Sequence, residues 1–463
     1  MTSLKENIDR VNREVLFNML RRTDFHGNSD FMILNNQKKR RNDFIVSIKD
    51  KHGKSVFKEE GKRQVIRDYC SEMFSSIDTN SDAINNFLSE VEPLDSVIYE
   101  TLLGKIKREE VESVINQLST DKTPGLDGLP SEFYKLVSKE LSELLTQYFN
   151  EGIERGTMGK SFYEGVMCLL YKKGDREDIN NYRQLTIMNV DYKIFAKIIM
   201  TRLEDVLDII IEKEQTCAIK GRLMWDNLCM LREIIYNEKD SELCILGLDQ
   251  KRAFDSVSHS YLWQVMKAYN FPDQFISIIQ LIYKKSLVRV KVNGKLSSPF
   301  SAECGVKQGC PLSAALYVLA INPLLKRINH DKRIKGYILD KSHKIAALAY
   351  ADDVTVLIRN QSELLEKLIR KAGSLVGMKL DTLVTVAEKR TLKKLMGIMN
   401  NAGHPLHTVV NNQRSLFSDR LLLPMSKTNR LKNSFIPHAI KLFNSSLEGR
   451  GRRNRGTREG GNN

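Results

Sequence analysis

Apolar residues recur at helical spacing through Lys62 to Phe74, Lys105 to Leu118, Ser131 to Gly152, Asp191 to Ile211 and Asp226 to Tyr236, and each stretch predicts an amphipathic or buried helix. Between these lie short apolar runs, VMCLLY ending at Tyr171 and LCILGLD ending at Asp249, whose length and β-branched content suit buried strands. Leu287 to Val292 alternates apolar with basic and runs into Asn293-Gly294, the pair that a two-residue hairpin turn favours. Helices interleaved with short strands from about residue 100 to 385 predict a compact α/β domain. The first 95 residues read as charged helical segments with a basic patch from Lys38 to Arg41 and no recognisable chemistry, and after about 385 the periodicity weakens.

Composition narrows the class. A chain of 463 residues with 41% hydrophobic content can bury a real core, which excludes disorder throughout. It has no apolar run of membrane-spanning length, and its first residues, MTSLKENIDRVNREVLF, lack a signal region, so an intracellular, soluble protein is expected, nuclear or cytoplasmic. The seven cysteines stand singly with no C-x-x-C pair, which argues against a zinc site or a disulfide framework. A net charge of +15 points to a polyanionic partner. From Ala387 onward fifteen Lys/Arg stand against four Asp/Glu, so +11 of that charge lies in the C-terminal part, which finishes in RGRRNRGTREGGNN and is expected to be partly disordered.

Two segments carry candidate chemistry. In LCILGLDQKRAFDSV an apolar strand delivers Asp249 at its end, and in IAALAYADDVTVLI two apolar strands flank Tyr350-Ala351-Asp352-Asp353 at a tight turn. Adjacent aspartates at a hairpin tip resist joint ionisation unless a cation sits between them. Nucleotidyl transfer needs such a place, with carboxylates on rigid elements holding two divalent ions about 4 Å apart.

The order of segments from Lys122 to Asp353 resembles the reverse transcriptases of LINE-type (non-LTR) retrotransposons motif by motif. The run includes DKTPGLDGLPSEFYK, LLYKKGDREDINNYRQL, DYKIFAKIIMTRL, EQTCAIKGR, the Asp249 strand, GVKQGCPLSAALYVLAI and YADD. The resemblance implies that Asp249, Asp352 and Asp353 are the catalytic metal ligands, for two Mg²⁺ with Mn²⁺ as a substitute, and that Lys172 and Arg183 contact the triphosphate of the incoming nucleotide. Phe254 matches the residue that excludes a 2′-hydroxyl, Gln308 and Gly309 fall in the segment that closes over the nascent base pair, and Asp255 matches a structural acid. The implied partners are an RNA template, a DNA primer and deoxynucleoside triphosphates.

Departures from the family are visible. Arg183 is followed by Gln-Leu-Thr where Pro-Ile-Ser is usual, and VGMKL continues as DTLVTVAEKR instead of through Asn and a Lys-Ser/Thr pair. No endonuclease-like stretch precedes the polymerase motifs and no Cys/His knuckle follows, so a fragment or decayed copy is expected. The fold implied is α/β (α+β), a right-hand polymerase with helical fingers, a palm on an antiparallel sheet and a reduced or diverged thumb. The expected division is 1–95, a region of unknown role; 96–385, fingers and palm; and 386–463, a basic tail. Rival readings are a group II intron maturase-like protein and a catalytically inactive relative that only binds nucleic acid.

Overall fold

The computed structural model describes residues 44–237, 243–284, 286–339, 344–359, 383–401, 405–415, 420–423 and 436–445. The helices expected before residue 44, the basic patch at Lys38 to Arg41 and the Arg/Gly-rich end lie outside them. The chain divides into two compact units, Met1–Asn360 and Gln361–Asn463.

Among the described residues the first paired strands are a hairpin of β1 (Ile48–Lys49) and β2 (Ser55–Val56). The helix Glu59–Met73 follows, and its apolar stripe, Ile66 and Cys70 with Phe74 just beyond, joins Ile45, Ile48, Met167, Val288, Val290 and Val292 in one core cluster. Residues 44 to 74 are therefore packed onto the sheet described next. Lys62 shares the buried side of this helix. It is 1% exposed, and its ammonium donates to the carbonyls of Ile45 (2.7 Å) and Val46 (3.0 Å) and pairs with Glu59 (2.6 Å), which compensates for removing the charge from water.

β3 (Glu164–Tyr171) and β4 (Tyr182–Met188) form an antiparallel pair, while β5 (Leu243–Asp249) belongs to a different sheet. β6 (Leu287–Val292) runs parallel to β3, and β7 (Lys295–Leu296) and β8 (Phe300–Ser301) both pair with β6, giving a mixed five-stranded sheet. On β6 the valines at 288, 290 and 292 are buried while Arg289 and Lys291 are not, so the alternation read from the sequence is the alternation of faces. Asn293 (φ +48°) and Gly294 (φ +86°) make the two-residue turn, both in the left-handed region such hairpins need.

A small ladder of β9 (Tyr337–Ile338) and β10 (Lys344–Ile345) precedes β11 (Ala347–Tyr350) and β12 (Asp353–Arg359), which complete the second sheet in the antiparallel order β11-β12-β5. Two interior helices run through this unit. Val190–Ile210 buries twelve residues and turns only Thr201, Asp205, Asp208 and Ile209, all in its second half, to solvent. Ser313–His330 is the other, and its fully buried Asn322 donates to the Ile210 carbonyl (3.0 Å) and the Tyr269 hydroxyl (2.7 Å) while accepting from the Glu212 amide (3.0 Å). The single helix expected over Ser131 to Gly152 is two, Ser131–Leu136 and Ser138–Arg155. They are broken at Val137, whose φ −117°, ψ 34° is not helical and whose side chain is buried.

In the second unit the helix Leu383–Met399 runs across the boundary expected at 385. With the helix His407–Asn411 and a helical stretch at 436–445 it encloses a core of Leu395, Ile398, Val410, Leu421, Ala439 and Ile440. The basic tail therefore contains packed structure of its own, assembled from apolar residues too widely spaced to register as a periodic pattern. No described helix is long and apolar enough to cross a membrane.

Replacing Lys62 by Ala leaves Glu59 and two carbonyls without their partner, and should lower unfolding stability by about 2–4 kcal/mol. Denaturant unfolding of the variant checks this, and an unchanged midpoint would mean that the lysine is not holding the N-terminal segment.

Candidate active site

The central feature of the site is a strand register. β5 and β12 pair so that Asp353 lies directly opposite Asp249, and β11 pairs Tyr350 with the same Asp353 across the turn. Asp249 and Asp353 are exposed and Asp352 is half-buried. The Asp352 carboxyl is pushed above its ordinary range, first by burial and then by the charges of Asp353 and Asp249, with Arg183 acting in the opposite sense. The three acids expected to act together are thus electrostatically coupled. Among the described residues no three acidic, histidine or cysteine side chains are gathered into a ready metal-binding group. The donor set itself, carboxylate oxygens open to solvent, suits a hard divalent cation, and an added positive charge would relieve the repulsion that Asp352 experiences.

The turn that carries Asp352 is held from outside the sheet. Ala351 has φ +52°, a left-handed conformation that a non-glycine residue keeps only when its surroundings enforce it. The enforcing residue is Gln215, fully buried, whose side-chain oxygen accepts from the amides of Ala351 (3.0 Å) and Cys217 (3.0 Å) while its amide donates to the Ala351 carbonyl (3.3 Å). Its backbone neighbours lie along β11: the amide of Ala349 donates to the Glu214 carbonyl, and the Ala349 carbonyl accepts from Thr216 and from the Asn227 side chain. Arg222 fastens the segment by donating to the carbonyls of Glu212 (2.6 Å) and Gln215 (3.0 Å) and pairing with Asp208 (2.8 Å). Gln215 and Arg222 both fall in EQTCAIKGR, yet nothing in that string says which turn the glutamine reaches.

Phe254 lies in a single helical turn, Phe254–Ser256, after Asp249. It is half-buried and stacks on Tyr317 with 4.6 Å between ring centroids and 13° between planes. Tyr317 in turn donates to Gln250 (2.7 Å), next to Asp249. Tyr317 is itself buried, 2% exposed, so the half-buried Phe254 is backed by the interior core at the end of the strand that carries Asp249. Asp255 is 4% exposed, and burial pushes its carboxyl up to about 6, against the lowering fields of Arg252, Lys172, the Gln308 amide and Arg183. Lys172 and Arg183 thus both act on Asp255, and Arg183 acts on Asp352 as well. Both cations are exposed, and among the described residues neither pairs with a carboxylate.

The loop from Gly305 to Gly309 closes the site's edge. The Gln308 side chain donates to both oxygens of Asp255 (3.2 and 3.3 Å), and its carbonyl accepts from the Thr186 amide (2.9 Å). Gly309, at φ +116°, sits so close to β4 that a Cβ there would meet the Thr186 carbonyl at 2.6 Å. This is also where the departure after Arg183 lies: Gln184, Leu185 and Thr186 simply continue β4, and Thr186 receives the loop. Between the glycines Lys307 turns inward, 7% exposed, with its ammonium over the rings of Tyr192 (4.6 Å) and Tyr283 (5.5 Å) and burial pulling its amine down to about 8. Sequence reasoning passed over Lys307 because a lysine in a basic chain reads as surface.

The chain belongs to the reverse transcriptase family: the family described as reverse transcriptase (RNA-dependent DNA polymerase) matches residues 171–413, and so extends past the expected end of the palm at 385. Among its relatives is the transposon TX1 uncharacterized 149 kDa protein of Xenopus laevis, 31% identical over 344 residues, 74% of this chain and 26% of that protein. The Pol polyprotein from type-1 retrotransposable element R2 of Popillia japonica is 26% identical over 258 residues, 55% of this chain and 35% of its own length. The RNA-directed DNA polymerase from mobile element jockey of Drosophila melanogaster is 26% identical over 265 residues, 56% and 28%. These relatives support the LINE-type (non-LTR) affinity read from the motifs, and this chain spans about a quarter to a third of their length.

Gln215→Ala strands the buried amides of Ala351 and Cys217 and should cost roughly 1–3 kcal/mol of stability. Hydrogen exchange should rise specifically at residues 349–353, and exchange there equal to that of the parent protein would show that the turn holds itself.

Proposed function

We propose that the chain is an RNA-directed DNA polymerase that adds deoxynucleotides to the 3′-hydroxyl of a DNA primer on an RNA template. The observation that carries the reading is the pairing of Asp353 with Asp249 beside the Asp352 turn, within the field of Arg183. Asp249, Asp352 and Asp353 are the residues that would hold two divalent ions, Mg²⁺ or Mn²⁺. When bound, such a pair activates the primer hydroxyl and steadies the departing pyrophosphate. The protein's own groups do the positioning. Lys172 and Arg183 offer a mobile point charge and a planar fork to the triphosphate. Phe254, backed by Tyr317, presents a wall where a 2′-hydroxyl would stand. Gln308 and Gly309 form the floor beneath the nascent base pair, held in place by the Gln308 contact to Asp255 and by the close seating of Gly309 against the Thr186 carbonyl.

In this reading the mixed five-stranded sheet corresponds to fingers and the β11-β12-β5 sheet to the palm, and the basic C-terminal residues supply phosphate contacts without base preference. Intact acids at all three positions favour an active polymerase over a relative that only binds nucleic acid.

Purified protein should extend a DNA primer on an RNA template with Mg²⁺, and Asp353→Asn should reduce the rate by at least about 10³-fold, the scale of losing a charge-stabilising group in an active site. A parent protein that binds primer–template but never extends it would return the chain to the binding-only reading. In an active preparation Phe254→Val should raise ribonucleotide use relative to deoxyribonucleotide by up to about two orders of magnitude, equivalent to about 3 kcal/mol of discrimination. Unchanged sugar selectivity would remove the gating role from Phe254.

A further inference from the structure

The loop between Asp249 and Phe254 holds a residue whose geometry the polymerase reading does not use. Arg252 has φ +55°, a left-handed backbone that an arginine adopts only when it is held there. Its carbonyl accepts from the amides of Asp255 (3.0 Å) and Ser256 (2.9 Å), closing the turn that presents Phe254. Its guanidinium leaves the loop altogether. It donates to the Tyr69 hydroxyl and to the Asn180 side-chain oxygen (2.6 Å), and stands over the Tyr69 ring at 5.2 Å, while Tyr69 also donates to that same oxygen (3.0 Å). Three residues from separate elements thus close a triangle: the helix Glu59–Met73, the β3–β4 connection and the loop after β5.

The β3–β4 connection is the one that carries Lys172. Asn180 sits in the turn Ile179–Asn181, its amide capped by Asp178 (2.9 Å), and the Asn181 carbonyl accepts from the amide of Lys172 (2.8 Å). Among the described residues no carboxylate pairs with Arg252 within ion-pair distance, so its fork serves neutral oxygens. A solvated surface arginine would need neither the strained backbone nor two acceptors that meet each other.

We propose that Arg252 is a positioning residue that latches the loop following Asp249 to the β3–β4 turn, and so fixes where Lys172 and Arg183 stand relative to the aspartates. The inference rests on the polymerase reading for its functional consequence, but not for the latch itself. A lysine keeps the charge but lacks the planar guanidinium fork that meets the Tyr69 and Asn180 oxygens from one rigid group, and a phenylalanine at 69 keeps the ring while removing the hydroxyl. Loosening the latch leaves the chemical groups intact but lowers the fraction of molecules ready to accept a nucleotide, which weakens apparent affinity more than it slows turnover.

The test combines two measurements on the full chain. In hydrogen exchange, Arg252→Lys and Tyr69→Phe should each speed exchange over residues 172–181 and 250–256, with the remainder of the described first unit unchanged. In steady-state primer extension each should raise KM for the deoxynucleotide about tenfold while kcat changes by less than about threefold, and the double variant should be no worse than either single one, as expected for residues acting as a unit. Unaltered exchange in both segments overturns the latch whatever the activity. So does a loss confined to kcat, or penalties that add. If the parent protein extends no primer, the exchange data alone decide the latch and only the polymerase reading falls.

Discussion

Two negative charges on neighbouring strands are a cost that no apolar sheet would accept without return, and in this chain the cost is fixed by register. A slip of one residue between β5 and β12 would send Asp353 to the opposite face from Asp249. The continuous ladder from Asp353 opposite Asp249 to Arg359 opposite Leu243 holds the two acids together. Val356 and Leu357, neighbours on β12 and so on opposite faces, are both buried, whereas Cys244, Ile245 and Gly247 of β5 stay exposed.

The remainder of the first unit can be traced outward from that constraint. The turn between β11 and β12 is strained at Ala351 and is clamped by Gln215, which is in place because Arg222 binds the carbonyls around it and Asn322 binds those at the end of the helix Val190–Ile210. Every link is a side chain satisfying backbone groups where the chain leaves regular structure, which is where buried polar groups otherwise go unpaired. On the other flank Gln308 joins Asp255 to β4 through Thr186, and Lys307 anchors the same loop from behind by burying its ammonium against two tyrosines. The interior helices supply apolar bulk, and the polar side chains at their ends supply aim.

How much of this was legible depends on whether the information is local. The strand ending at Asp249 and the hairpin at Asn293-Gly294 were read with their observed limits, since length, alternation and turn residues all lie within a few positions. The aspartates could be nominated from flanking apolar runs. Gln215, Arg252 and Lys307 could not be assigned work, because each acts on a residue more than two dozen positions away and is polar in a chain full of polar residues. The break at Val137 carries no glycine or proline to announce it. Lys62 read only as the start of an amphipathic stretch, though its amine ends on the carbonyls of Ile45 and Val46, in a region that showed no recognisable chemistry. Residues 386–463 were read as a tail for a related reason: their apolar contacts join Leu395 to Val410, Leu421 and Ile440 across intervals that no helical period spans.

The central claim is that the Asp249–Asp353 pairing, with Asp352 at the turn, is a binding place for divalent cations. The most direct measurement is a crystal structure of the protein grown with Mn²⁺ and an unreactive deoxynucleotide triphosphate analogue, with the ions located by anomalous scattering. The account predicts two peaks about 3.5–4 Å apart, with carboxylate oxygens of Asp249 and Asp353 at about 2.0–2.2 Å. Peaks found elsewhere, or a nucleotide bound with these carboxylates carrying no ion, would contradict it.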